Sequence, residues 1–225
     1  MEPINRQLFF SHTWQHDKLN RNTHKRVYEL AKKLENCGWS IWIDEDNIIG
    51  NIDAAMASGI DNAEAIIVCL TESYCLKVNE TAKDPRRRDN CLKEWTYANA
   101  RNKLMIPVVM EPCLSSINDW PPGVVSLYFG STLYVNATND NLNSAVISIN
   151  KLLEQYKLNP QNKKFYENTK IKKSEIIETI KKLDYSIALD KTKRKKIYQI
   201  NIYFFIYYLI KDFLIIRDVS LIQLY

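Results

Sequence analysis

Residues 38–74 read GWSIWIDEDNIIGNIDAAMASGIDNAEAIIVCLTESY, and the order of residue types within them decides the fold. Trp39 to Ile43 is aromatic and β-branched, and Ala65 to Leu70 is an unbroken apolar run. Such a run suits a strand covered on both faces, which is the situation of strands in parallel sheets. Between the two lie the acidic loop Asp44-Glu-Asp-Asn47 with Gly50, and then a segment apolar at Ile52, Ala55, Met56 and Ile60. Asn51 is placed to cap that helix. The unit is therefore strand, acidic loop, helix, buried strand.

The same alternation extends in both directions. Gln7 to Phe10 is a short first strand that ends at Ser11-His-Thr-Trp14. Thr23 to Cys37 carries Val27, Leu30, Ala31 and Leu34 at helical spacing, with Gly38 as its stop. After Leu70 the polar, basic stretch Lys77 to Arg88 reads as a surface loop, and Asp89 or Asn90 caps a helix to about Arg101. Leu104 to Met110 is a fourth strand, irregular or near an edge because of Pro107. Glu111 to Gly130 reads as loop, Leu133 to Val135 as a fifth strand, and Asn141 to Tyr156 as a closing amphipathic helix. Strands alternating with helices predict an α/β fold, an open sheet of five parallel strands with helices on both faces. Ligands bind such sheets at the carboxyl ends of the strands.

The net charge of +5 is unevenly spread. Residues 1–158 hold 17 Lys and Arg against 19 Asp and Glu, whereas residues 159–225 hold 14 against 7. The basic character belongs to the tail, so the globular part is not a nucleic-acid binder on charge grounds. Five cysteines stand singly with no CxxC spacing. With no secretory signal in MEPINRQLFF, they indicate reduced thiols and a cytoplasmic location. The division expected is a domain over 1–158 and a C-terminal extension over 159–225, basic and then apolar, helical or poorly ordered. Residues 197–216 have about the length of a membrane-spanning helix, but Lys211 and Asp212 would each cost on the order of 3 kcal/mol at mid-membrane. The basic run Lys191 to Lys196 suits an anionic surface, so residues 191–216 read as a docking helix, a membrane contact, or a stretch outside any folded unit.

Several pieces in fixed order resemble the TIR (Toll/interleukin-1 receptor) domain. They are Leu8-Phe-Phe-Ser-His12, Gly38-x-x-Ile-Trp-Ile-Asp44, the loop Glu45 to Gly50, and Gly59-Ile-Asp-Asn-Ala-Glu64. Ile66 to Thr71 leading to Ser73-Tyr74, Cys91-Leu-Lys-Glu94 and Ile106-Pro-Val108 complete the set. The resemblance covers about the first 157 residues and implies a flavodoxin-like fold. It further implies self-association with other TIR domains through the loop Glu45 to Ile52. For part of the family it also implies hydrolysis of NAD at the nicotinamide–ribose bond by one glutamate on the helix before the fourth strand. Here that position is Glu94.

The chemistry permits a single carboxylate. Glycoside cleavage ordinarily uses two, one of them to protonate the leaving group. NAD loses a cationic pyridinium as neutral nicotinamide, so one carboxylate that stabilises the developing positive ribose suffices. NAD is thus a substrate, and no cofactor is implied. The competing reading makes Glu94 an ordinary helix-surface carboxylate, favoured near the helix N-terminus by the dipole. By the resemblance, Thr13 and Trp14 stand where catalytic relatives contact the dinucleotide, although the best-known animal enzyme has basic residues there. Trp14 could stack on adenine or simply cover the sheet end. Trp120, followed by Pro121, resembles a Trp-Pro pair flanking the pocket, and Ile49 and Gly50 match positions at its edge. His12 and His16 lack companion ligands, so no metal site is expected. The alternative to an enzyme is a non-catalytic adaptor acting by TIR–TIR contact alone.

Overall fold

The computed structural model describes residues 6–44, 51–81 and 89–162. The acidic loop 45–50, with Ile49 and Gly50, most of the basic stretch 77–88, and the tail from 163 onward lie outside the described residues.

Five strands, β1 (Leu8–Ser11), β2 (Ile41–Trp42), β3 (Ala65–Leu70), β4 (Leu104–Val109) and β5 (Val135–Asn136), form one sheet in the order β2-β1-β3-β4-β5. Every pairing is parallel. This is the expected open α/β sheet. Among the described residues six helices pack beside the sheet: α1 (Thr23–Glu35), α2 (Ile52–Asn62), α3 (Glu72–Thr81), α4 (Asn90–Ala100), α5 (Val124–Phe129) and α6 (Asn143–Gln155).

All six residues of β3 are buried, and its period of two sends them to two separate cores. Ala65, Ile67 and Cys69 meet Val27, Leu30, Ala31 and Leu34 of α1, together with Ala145, Ile149 and Leu153 of α6. Ile66, Val68 and Leu70 meet Met56 and Ile60 of α2, Tyr74 and Val78 of α3, Trp95 of α4 and Phe129 of α5. Burying each large aliphatic side chain contributes roughly 1.5–3 kcal/mol.

Local signals set the helix ends. Asn22 accepts from the Lys25 amide at 2.8 Å and starts α1, and Asn51 accepts from the Ala54 amide at 3.0 Å and starts α2. Gly38 follows α1 with φ +94°, in the left-handed region that favours glycine.

The structure departs from the sequence reading at three places. The segment after β3 enters a helix at once, so Lys77 to Thr81 belong to α3. Tyr74, Cys75 and Val78 share its inner face, and the polar residues around them obscure that spacing. The stretch Glu111 to Gly130 is not plain loop: it holds two 3-10 turns and α5. β5 is only two residues long, displaced to Val135–Asn136.

Pro107 sits in a regular six-residue strand. Met110 donates to Leu70 of β3, and Val109 accepts from Ala137 next to β5. By strand alternation the nitrogen of Pro107 faces the β5 side, and pairing with β5 begins only at Val108. The missing N–H therefore costs no ladder bond. Residues beyond α6 return to the sheet edge. Gln7 Nε2 donates to the Asn159 carbonyl at 2.7 Å, and the Asn162 amide donates to the Gly38 carbonyl at 3.2 Å.

β2 is held by aromatic packing. Trp42 stacks on Phe9 with ring centroids 4.2 Å apart, and Gly59 of α2 approaches so closely that a Cβ there would lie 2.7 Å from the indole. The Phe9 stack stops the indole from yielding. Gly59→Ala should destabilise the fold by about 1–3 kcal/mol in urea unfolding, and the loss should shrink in a Trp42→Leu background. An equal loss in both backgrounds would contradict this account.

Candidate active site

The strand order changes direction between β1 and β3, which makes the crevice beyond their carboxyl ends the place for a ligand. Ser11 is the last residue of β1 and Thr71 follows β3. Asp89 caps α4 by accepting from the Cys91 amide at 2.8 Å. Cys91, Glu94, Trp95 and Ala98, at helical spacing, form the buried face of α4. Glu94 thus occupies a core-facing position, where an apolar residue would be the ordinary choice, and is only 4% exposed. The reading of Glu94 as a solvated surface carboxylate does not fit this placement.

A buried carboxylate requires hydrogen-bond partners. Glu94 Oε2 accepts from Ser11 Oγ at 2.6 Å, and Ser11 Oγ lies 2.9 Å from the hydroxyl of Tyr74. The Cys91 thiol, 3.5 Å from the His12 carbonyl, ties α4 to β1 beside this contact. Burial holds the Glu94 carboxyl well above its usual range; the charge of Asp44 adds to the effect and the Ser11 bond opposes it. Asp44, just beyond β2, is itself raised by burial, against the bond from Trp14 and the proximity of His24. Its Oδ1 is buried without a hydrogen-bond partner among the described residues, while Oδ2 accepts from Trp14 Nε1 at 3.3 Å.

A stack of rings stands beside the carboxylates. His12 Nε2 lies 2.7 Å from His24 Nδ1, and Trp14 stacks on His24 at 3.8 Å between centroids. Burial and the neighbouring His24 push the His12 pKa down to about 4, so His12 is neutral at physiological pH.

Of the residues singled out from the sequence, Glu94 and Trp14 lie closest to the same chemistry, linked through Asp44. Trp14 is 55% exposed, with one face on His24. Thr13 is buried, its hydroxyl accepting from the Gln15 amide and lying 3.5 Å from Ser73 Oγ. Trp120 is buried, donates to the Leu114 carbonyl at 2.7 Å and packs on Tyr134. Sequence reasoning missed Ser11 and Tyr74 as partners of Glu94, and the His12–His24 pair. The position of Ser11 at the end of β1 was the available signal.

A groove of about 470 Å³ runs between α2 and α4, lined by Met56, Ala57, Ile60, Leu92, Tyr97 and Glu94 among others. Lys93 and Asp53, which also line it, pair at 2.6 Å. Thr13, Trp14 and Trp120 are not among its lining residues. No helix among the described residues is long and apolar enough to cross a membrane.

A family model described as TIR domain matches residues 8–153, more than half of the chain. The chain belongs to the TIR domain family, whose members signal through contacts with other TIR domains. It is also similar in structure to the TIR domain of the Toll-related receptor TRR-2 from the lower metazoan Hydra magnipapillata. That match has 15% identity and a TM-score of 0.43, and covers 64% of this chain and 94% of that one. No curated protein matches the chain.

The titrations set the sign of the pH dependence of stability. Glu94 binds its proton more tightly in the folded state, so its contribution is present below the ordinary value of 4.5 and is lost as pH rises through the folded value. His12 acts in the opposite sense, with stability lost as pH falls from 6.5 toward about 4. Glu94→Gln keeps the shape and removes only the first effect. The variant should therefore gain on the wild type in urea unfolding as pH is raised from about 5 to about 8. A constant difference across that range would contradict the burial argument.

Proposed function

We propose that this TIR domain hydrolyses NAD at the nicotinamide–ribose bond, with Glu94 as the catalytic residue. The observation carrying the proposal is a carboxylate 4% exposed, anchored by Ser11 in the crevice beyond β1 and β3. The bond between the ribose C1′ and the pyridinium nitrogen breaks with both electrons going to nitrogen, and nicotinamide leaves neutral. Positive charge develops on the ribose, where a desolvated carboxylate stabilises it far more than one in water would. Water then forms the C1′–O bond and releases a proton, giving ADP-ribose.

The raised pKa of Glu94 is compatible with this role. Burial disfavours the ionised form in the empty site, and the positive charge that develops on the ribose as the bond breaks favours ionisation. Activity should rise with pH as Glu94 loses its proton, with a midpoint above the ordinary carboxylate range.

The test is nicotinamide release from NAD by purified protein held at high local concentration on an oligomeric scaffold. Glu94→Ala should lower the rate at least about 100-fold. No release by the assembled wild-type protein would overturn the proposal.

A second reading, a non-catalytic adaptor, draws on two observations. Thr13 and Trp120 are buried with their polar groups already engaged, and Lys93 of the groove is paired with Asp53. Such an adaptor would act through the loop Glu45 to Ile52, whose described end, Ile52, is 47% exposed. On that reading Ile52→Asp abolishes self-association in ultracentrifugation and NAD turnover is absent throughout. Unchanged association would count against it.

A further inference from the structure

Once Glu94 is ionised, the three hydroxyl and carboxyl groups beyond β1 admit only one arrangement of protons. Ser11 Oγ lies 2.6 Å from Glu94 Oε2 and 2.9 Å from the Tyr74 hydroxyl. An ionised carboxylate only accepts hydrogen bonds, and a serine hydroxyl has a single proton. The Ser11 proton must therefore point to Glu94, which leaves Ser11 able only to accept from Tyr74. Tyr74 in turn must be the donor. Burial pushes the Tyr74 phenol well above its ordinary value, so it keeps its proton.

The chain is mounted on regular structure at each end. Ser11 sits within the sheet, paired with Val68 of β3. Tyr74 lies in the first turn of α3, its amide bonded to Thr71 Oγ1 at 3.1 Å, and its ring is fully buried. Glu94 Oε1 accepts no hydrogen bond from the described residues.

We infer that Tyr74 and Ser11 are positioning residues for Glu94. The ordered chain Tyr74 O–H to Ser11 O–H to Glu94 Oε2 fixes the carboxylate rotamer, occupies Oε2, and leaves Oε1 as the oxygen presented to the ribose. The inference rests on the reading of Glu94 as the group that acts on NAD. The surrounding charges do not supply this function. Asp44 beyond β2 and Asp89 before α4 both favour the protonated form of Glu94. Lys93 on α4 is committed to Asp53 of α2, and the Cys91 thiol, raised by burial, is not charged. The hydroxyl chain is the element that favours the carboxylate.

The test is the pH titration of the Glu94 side-chain carboxyl, followed by carbon NMR in the full chain, with or without activity. Ser11→Ala should move the midpoint up by roughly half to one pH unit, the worth of one hydrogen bond. Tyr74→Phe should move it the same way by less, because it acts only through Ser11. The double variant should match Ser11→Ala alone. Ser11→Cys, which retains a weak donor, should fall between wild type and Ser11→Ala, and it serves in place of Ser11→Ala if that variant does not fold. The acid limb of nicotinamide release against pH should shift in parallel, with KM for NAD changed less than about twofold. A Glu94 midpoint unmoved by Tyr74→Phe, or additive shifts in the double variant, would overturn the inference. If the wild-type protein released no nicotinamide, the catalytic reading would fail while the carboxyl titration still decided whether the chain exists.

Discussion

Covering β3 on both faces is the constraint from which the rest of the domain follows. Six consecutive buried residues cannot border solvent, so helices must lie on either side of the sheet. A helix returning the chain to the same sheet makes the next strand parallel, and all five strands then end on the same side. The first crossover, through α1, and the later ones, through α2 to α5, leave from opposite faces of β1 and β3. The chain ends beyond these two strands diverge, and a crevice opens there. Ser11, Asp44 and the start of α3 reach its rim because they are the residues at which strands stop.

Into this crevice α4 projects a carboxylate from its core-facing stripe. Removing Glu94 from water costs several kcal/mol for the charged form unless neighbours replace the lost solvation. One replacement is the Ser11 hydroxyl, and Asp44 works against it. The result is a carboxyl group held well above its ordinary titration range. Trp14 stacked on His24 adds an aromatic wall, and burial keeps the neighbouring His12 uncharged.

Much of this was legible in the chain, for identifiable physical reasons. The buried run Ala65 to Leu70 and the spacing of Val27, Leu30, Ala31 and Leu34 record solvent exclusion directly, and these elements fall where the sequence puts them. Asn51 and Asp89 announce their helices because capping is a local interaction. α3 was hidden because its apolar positions, Tyr74, Cys75 and Val78, are few and lie among Glu72, Ser73, Lys77 and Asn79. Glu94 could be singled out by resemblance, but its burial is a property of the assembled faces of α4 and β1. The Ser11–Glu94 contact joins residues 83 apart in the chain, and no local pattern encodes such a pair. Trp120 stood out as half of a Trp-Pro pair, yet its N–H satisfies a carbonyl only six residues away.

The central claim is that Glu94 stabilises the transition state of NAD cleavage rather than the bound substrate. Differential binding of this kind separates affinity from turnover. The decisive measurement is therefore a pair of constants for Glu94→Gln in the assembled protein: the Kd of NAD by calorimetry and the rate of nicotinamide release at saturation. The account predicts a Kd within about threefold of wild type and a rate lower by at least about 100-fold. Equal loss of affinity and no loss of saturated rate would contradict it, and would make Glu94 a binding or structural group instead.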